Sequence, residues 1–435
     1  MIGEYVPGPA LRTQEPGGSL RVYGWGALLW GLLAVLATGT YLHVLGQPFL
    51  SDDYIQIDLG RKYGDISSWP ALLADPLYRC RATSIVLTRW TEQISGIAPA
   101  GYYASAVLLH VLNTWMVFLN GVALGFAHRV SFLAAALFAI GMRHQEAVMW
   151  YAALPELLLF FFCGCFLWTW NRWTERGGVG YYALAVLSFV LAVGSKEPGV
   201  VLAPVAAAMA WRRGVTVFSA APFAVLAAGY TALNVAAKAN HLHWNDGTFS
   251  LSSPFLLTWA RSLGRMFWVW GAVGVAAVAL WARGEWKTLR WAALWTGLAM
   301  LPYSFLLYMP VVPSRHMYLA GAGAAFFAAA GLLAVQSRFA RFRWVLPVLL
   351  GVCLLHNVGY VWTKKRRQFD ERAAATEDLL RLVRKTDGLI YVTCFPYGPE
   401  VAEKAIAITL SRNASMLVWD TPPPPGAVTY CAKHP

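Results

Sequence analysis

The sequence predicts an all-α polytopic membrane protein of about eleven transmembrane helices with a small C-terminal α/β appendage. Three observations predict it. Hydrophobic residues fill 58% of the 435 positions and charged residues only 13%, about half of the ~25% with which a soluble domain faces water. The mean hydropathy is +0.48, and apolar runs of membrane-crossing length recur along most of the chain. The 21 Trp and 19 Tyr suit side chains that anchor helices at membrane interfaces. These features argue against a soluble enzyme, a disordered chain and a nucleic-acid-binding protein, despite a net charge of +13.

Residues 1–21 read as a polar cytoplasmic segment rich in Gly and Pro. The run Val22–Leu45 is too long for a signal-peptide core and reads as an uncleaved first span. Further spans are expected near 102–125, 130–142, 147–170, 180–194, 198–211, 215–237, 254–282, 291–309, 316–336 and 343–362. The shorter ones are tolerable inside a bundle. Loop charge sets the orientation. Connections at Ala127-His128-Arg129, Asn171–Arg176, Trp211-Arg212-Arg213, Ala282–Arg290 and Gln336–Arg343 all carry Arg or Lys and read as cytoplasmic. The opposite face receives loops that mix acids, His and single cations, beginning with the long first loop 46–101. An odd span count places residues 363–435 on that outer face, where Lys364-Lys365-Arg366-Arg367 breaks the positive-inside pattern.

The tail alternates in character. Gln368–Lys385 reads as an amphipathic helix, Gly388–Cys394 as a β run, Glu400–Leu410 as a helix and Met416–Trp419 as a short strand, with Pro422–Pro425 ending the unit. Cys394 and Cys431 can pair if this segment lies in an oxidising compartment. The organisation expected is thus 1–21, a membrane domain 22–362 and a small extracytoplasmic segment 363–435.

The outer loops hold the candidate chemistry. Ser51-Asp52-Asp53 follows the first span. Adjacent carboxylates at a membrane face suit a base or a cation site, or else a helix N-cap for Asp53–Arg61. Downstream, Arg79 and Arg81 supply two cations that suit phosphate or lipid head groups. The second loop carries Arg143, His144 and Glu146, then Pro155-Glu156. The third carries Ser195-Lys196-Glu197-Pro198. The fourth holds His241 and His243, whose spacing reads as an ordinary polar loop more readily than as a metal site. The fifth holds Arg315-His316 ahead of Tyr318. Each set has a bland reading as cap, anchor or interfacial pair. All five meet one face of one bundle, and the combination of acids with Arg and Lys suits a lipid phosphate meeting a polar acceptor.

The order of these motifs resembles the C-type glycosyltransferase superfamily (GT-C), and most closely its protein O-mannosyltransferase-like branch, which includes bacterial relatives and mannosyltransferases with tetratricopeptide repeats. The resemblance rests on Asp52-Asp53 after the first span, the Tyr78-Arg79 segment, Glu146-Ala147-Val148, Ser195-Lys196-Glu197-Pro198-Gly199 and Arg315-His316-Met317-Tyr318-Leu319. It covers about 22–335. It implies transfer of a hexosyl or mannosyl-type unit from a polyprenyl-phosphate donor to a hydroxyl on a glycan, lipid or protein, with inversion, at the non-cytoplasmic face of a bacterial inner membrane. Asp52 would be the general base and Asp53 its partner or a divalent-cation ligand, the one cofactor in view. Arg79, Lys196 and Arg315 would bind the donor phosphate, and Arg81, Arg143, His144, Glu146, Glu197, His241, His243 and His316 would line the substrate site. Two departures stand out: Arg143 where the family has His, and Pro155 before Glu156 where it has Arg. No tetratricopeptide array fits in 363–435. Membrane lipids are the expected surroundings and nucleic acid is not a partner. The rival reading is a transporter or flippase of lipid-linked saccharides, which would set ionisable groups at the membrane midplane; a non-catalytic scaffold docking through its tail is the third.

Overall fold

The protein is described by a computed structural model over residues 19–237, 249–307, 311–419 and 422–432. Each of the eleven apolar segments contains a helix. In chain order these are α1 (Ser19–Tyr41), α5 (Pro99–Ala123), α6 (His128–Ala139), α8 (Leu154–Arg176), α9 (Val179–Val193), α10 (Leu202–Arg212), α11 (Ala221–Ala236), α12 (Phe255–Trp281), α13 (Trp286–Met300), α14 (Tyr318–Arg338) and α15 (Val345–Tyr360). The first loop adds α2 (Asp53–Tyr63), α3 (Trp69–Ala74) and α4 (Ala82–Ser95), and the second adds the short α7 (Gln145–Met149). Among the described residues seven helices are long and apolar enough to cross a membrane, and α6 and α9 are shorter apolar helices. The chain is a multi-pass, mostly helical protein.

Proline sets several boundaries. Pro99 and Pro155 stand in the first turns of α5 and α8, where a missing N–H costs nothing. The fourth span was expected from residue 147, but its helix begins at Leu154. The stretch before it is broken instead: a 3-10 turn Met142–His144, then α7, then an extended Trp150 and a second turn Tyr151–Ala153. α6 stops after twelve residues, so this broken stretch descends into the bundle and its side chains face the interior. Likewise α13 ends at Met300 before Pro302, short of the expected 309.

α14 is the central helix, packed against α6, α8, α12 and α13 and almost wholly buried. Its sequence Tyr-Leu-Ala-Gly-Ala-Gly-Ala-Ala explains this, because small side chains let neighbouring backbones approach closely. At Gly331 a Cβ would come within 2.2 Å of the Gly274 Cα in α12. Gly331→Ala must therefore move a backbone, and such overpacking costs roughly 1–3 kcal/mol. The expected result is a lower melting temperature in detergent; an unchanged one would show that the α12–α14 crossing is looser than described.

Residues 366–432 fold as α16 (Arg366–Lys385), β1 (Ile390–Cys394), α17 (Pro399–Leu410), β2 (Leu417–Val418) and β3 (Val428–Cys431), with a parallel sheet in the order β2-β1-β3. The Pro422–Pro425 run does not end the unit as expected, since β3 follows it and pairs with β1. That register brings Cys394 opposite Cys431, and the two are joined as a disulfide. α17 packs on α2 of the first loop, with Lys404 Nζ 2.9 Å from Asp58 Oδ2. The tail and the Asp52 loop therefore share one face.

Candidate active site

A cavity of about 370 Å³ opens at that face. Its walls include Asp52, Arg81, Glu156, Lys196, Arg315 and His316 from the membrane domain and Glu400 from α17. Acids and cations that lie up to 348 residues apart, from Asp52 to Glu400, thus meet at one place.

Asp52 and Asp53 separate sharply in role. Asp52 occupies the N-cap position of α2, yet its side chain makes no cap hydrogen bond. It accepts one from Ser51 Oγ at 2.9 Å and lines the cavity. The helix-cap reading of Asp52 is thereby displaced. Asp53 is fully buried and does not line the cavity. Its carboxylate accepts from the Leu50 N–H at 2.8 Å, the Ala152 N–H at 2.7 Å and the Tyr103 hydroxyl at 3.1 Å. Burial pushes its pKa up to about 7, against the pull of these three donors. Asp53 therefore pins the loop to the Trp150 segment, its carboxylate accepting these three bonds.

The opposite wall is built on Glu156, in the first turn of α8. Its Oε1 meets both Lys196 Nζ and His316 Nδ1, and its Oε2 accepts from the Tyr303 hydroxyl at 2.8 Å. Lys196 Nζ and His316 Nδ1 are 3.1 Å apart, and the His316 ring stacks on Tyr303 with centroids 4.6 Å apart. Burial and the neighbouring Lys196 hold His316 down to about 3, so it is neutral and the ion pair is Glu156 with Lys196. Burial also lowers Lys196, while Glu156 draws it back up. The sequence places Glu156 with the second-loop charges but gives it no role of its own. A buried acid in the first turn of a span was its available signal.

Arg315 is held by Glu146, whose Oε2 is 3.2 Å from the Arg315 N–H and 3.7 Å from Nη1. Its guanidinium lies 5.0 Å from the Trp150 ring centre, and that of Arg372 in α16 lies 4.8 Å from the same ring. Trp150 thus takes a cation from the membrane domain and one from the tail. Glu146 positions Arg315 rather than lining the cavity. Glu197 faces an adjacent cavity of about 210 Å³ that shares Lys196 and His316 and is otherwise walled largely by apolar residues such as Val200, Val235 and Leu306.

Three expected site residues lie elsewhere, and two cannot be placed. Arg79 donates to the Leu233 carbonyl at 2.9 Å and to Asn234 Oδ1 at 3.4 Å, strapping the first loop to α11; Arg81, two residues on, is the cation that reaches the cavity. His144 is buried with Nδ1 3.0 Å from the Phe138 carbonyl, beneath Tyr318. Arg143 points to a separate pocket beside Trp268. His241 and His243 lie outside the described residues. Among the described residues no cluster of three or more His, Cys, Asp or Glu has metal-site geometry; the acids of the cavity wall are Asp52, Glu156 and Glu400, and Glu156 is paired with Lys196. The strap reading of Arg79 has a direct test. Arg79→Gln should cost about 1.5–3 kcal/mol of stability, as for hydrogen bonds from a charged donor, with KM for the donor unchanged. A KM rise at constant melting temperature would return Arg79 to the site.

No family model and no curated protein matches the sequence. Solved structures do share its fold. An Archaeoglobus fulgidus oligosaccharyltransferase tethered to an acceptor peptide by a disulfide aligns with a TM-score of 0.54 at 13% identity, covering 88% of this chain and 63% of that one. The archaeal oligosaccharyltransferase AglB from the same organism, in complex with an inhibitory peptide and a dolichol-phosphate, aligns at 0.55 and 13%, covering 92% and 64%. An apo form aligns at 0.54 and 14%, covering 90% and 64%. The chain spans a little under two thirds of the length of these structures. At such identities the likeness is one of fold: the chain shares the membrane fold of these oligosaccharyltransferase structures.

Proposed function

We propose that the protein is a membrane glycosyltransferase that moves a sugar from a polyprenyl-phosphate donor to a hydroxyl acceptor on the non-cytoplasmic face, with Asp52 as general base. One observation carries the reading: a single cavity sets an uncommitted carboxylate, Asp52, among the cations Arg81, Lys196 and Arg315. The fold likeness to oligosaccharyltransferases supports it. In the proposed step the acceptor hydroxyl gives its proton to Asp52 as its oxygen bonds to the anomeric carbon. The bond from that carbon to the phosphate oxygen breaks, and the lipid phosphate leaves with the electron pair. Its negative charge is met by the three cations, and cations preorganised around a developing charge are worth several kcal/mol. Attack opposite the leaving group inverts the anomeric centre. The adjacent apolar cavity behind Lys196 and His316 suits the first units of the lipid chain.

The resemblance of its motif order supports a place in the O-mannosyltransferase-like branch and in a bacterial inner membrane, with the site on the periplasmic side. The disulfide between Cys394 and Cys431 supports an oxidising compartment for the tail. Mass spectrometry of glycans and glycolipids from cells with and without the gene tests the activity. The expected difference is the loss of one saccharide unit from one envelope component, with its lipid-linked precursor accumulating. Accumulation of precursor only on the cytoplasmic leaflet, with transfer intact in broken membranes, would favour the flippase reading instead.

A further inference from the structure

Arg143 is the cation that the proposed reaction leaves unused. It sits on the 3-10 turn after α6, and its side chain enters a pocket of about 90 Å³ between α6, α12, α14 and α15. The guanidinium lies 5.3 Å from the ring centre of Trp268. Trp268 is the point where α12 breaks, with φ 42° and ψ −150°, a backbone conformation strained for a bulky residue. The Nε of Arg143 is buried without a hydrogen-bond partner among the described residues. A second cation, Arg265, stands on α12 three residues before Trp268, and burial together with its charge holds the Arg143 guanidinium below its usual range. Neither has a carboxylate partner among the described residues, although ionisable groups at membrane depth normally find one.

The depth of this pair is legible in the sequence. α12 is interrupted by Arg261 and Arg265 and is unbroken by charge only from Met266 to Trp281, so Arg265 marks the outer boundary of its apolar stretch. α15 reaches the same boundary at Tyr360, over whose ring Lys364 and Lys365 place their ammonium groups at 5.7 and 5.6 Å. Arg143 is the one of these cations that lines the pocket. The pocket is walled off from the Asp52 cavity and shares no lining residue with it. Two arginines, an unsatisfied buried donor and a strained aromatic together lack one thing, an anion with several acceptor oxygens.

We infer that Arg143, Arg265 and Trp268 form a binding site for the phosphate of an anionic phospholipid in the outer leaflet. The inference is independent of the glycosyltransferase reading. It also accounts for Lys364-Lys365-Arg366-Arg367 on the face where the positive-inside pattern disfavours them, since anionic lipid draws juxtamembrane cations. The purified full chain in detergent, titrated with phosphatidylglycerol, phosphatidylcholine or inorganic phosphate and read by native mass spectrometry, provides the test. One phosphatidylglycerol should be retained in preference to phosphatidylcholine. Its affinity should fall about five-fold in Arg143→Gln and again in Arg265→Gln, as ~1 kcal/mol per cation implies, with Arg143→Lys falling less. Millimolar inorganic phosphate should not replace the lipid. Binding of phosphatidylglycerol at wild-type affinity in both Gln variants would overturn the site, and Arg-dependent binding of inorganic phosphate without lipid would overturn its assignment to a lipid. If Arg143→Gln does not fold, Arg265→Gln carries the test alone.

Discussion

Asp52→Asn lowers sugar transfer by about 10²–10⁴-fold, the contribution expected of a positioned general base, and leaves the melting temperature of the purified protein within a degree or two. The two halves of this result come from the same observation. The side chain of Asp52 makes no cap bond to α2 and, among the described residues, touches only Ser51 Oγ within hydrogen-bond range, so an amide of the same shape removes the base without removing a strut. Asp53→Asn is the matched control with the opposite signature. It places an NH2 where Leu50 N–H, Ala152 N–H or Tyr103 hydroxyl now donates, and a buried donor facing a donor costs about 1–3 kcal/mol. The Asp53 variant should therefore lose stability, and lose turnover only through that. A single-turnover assay with lipid-linked sugar, run beside thermal unfolding, separates the two residues. Normal turnover in a folded Asp52→Asn protein would remove Asp52 from the chemistry.

Much of this pair was legible in the sequence and its decisive part was not. Two acids after a first span announce a polar site because membrane faces tolerate them poorly without a task. Which acid has the task depends on long-range partners. Tyr103 and Ala152 lie 50 and 99 residues away from Asp53, and no local pattern encodes them. The helices were legible for a plainer reason: in lipid every backbone polar group must be satisfied within the segment, so apolar length alone fixes them. That rule fails where the backbone is irregular. The stretch from Ala147 to Ala153 reads as the start of the fourth span, yet it folds as broken turns. The residues nearest that break, Trp150 and Glu156, are those the sequence reading undervalued. Arg79 and Arg81 show the same limit at single-residue scale. Both are cations on one turn, but Arg79 is captured by the carbonyl end of α11 while Arg81 lines the cavity.

Lys196→Met should cost both stability and transfer, and a second substitution should return only the first. Lys196 and Glu156 are almost wholly buried, with 7% and 1% of their side-chain surface exposed. Removing one partner of such a pair leaves an uncompensated charge, worth about 3–5 kcal/mol. Neutral His316 and the Tyr303 hydroxyl can donate hydrogen bonds to the stranded Glu156 but cannot neutralise it, so Lys196→Met is expected near the lower end of that range. Adding Glu156→Gln removes the charge itself, and replacement of a whole buried pair is often neutral. The double variant should recover most of the melting temperature. Transfer should remain reduced by about 10²-fold or more, because the preorganised cation facing the leaving phosphate is still missing. Recovery of transfer along with stability would mean that Lys196 only balances Glu156, and the phosphate would then rest on Arg81 and Arg315. Glu156→Gln alone discriminates further. It frees Lys196 from its partner while keeping the cavity's positive charge, so it should destabilise the fold yet leave donor KM equal or lower.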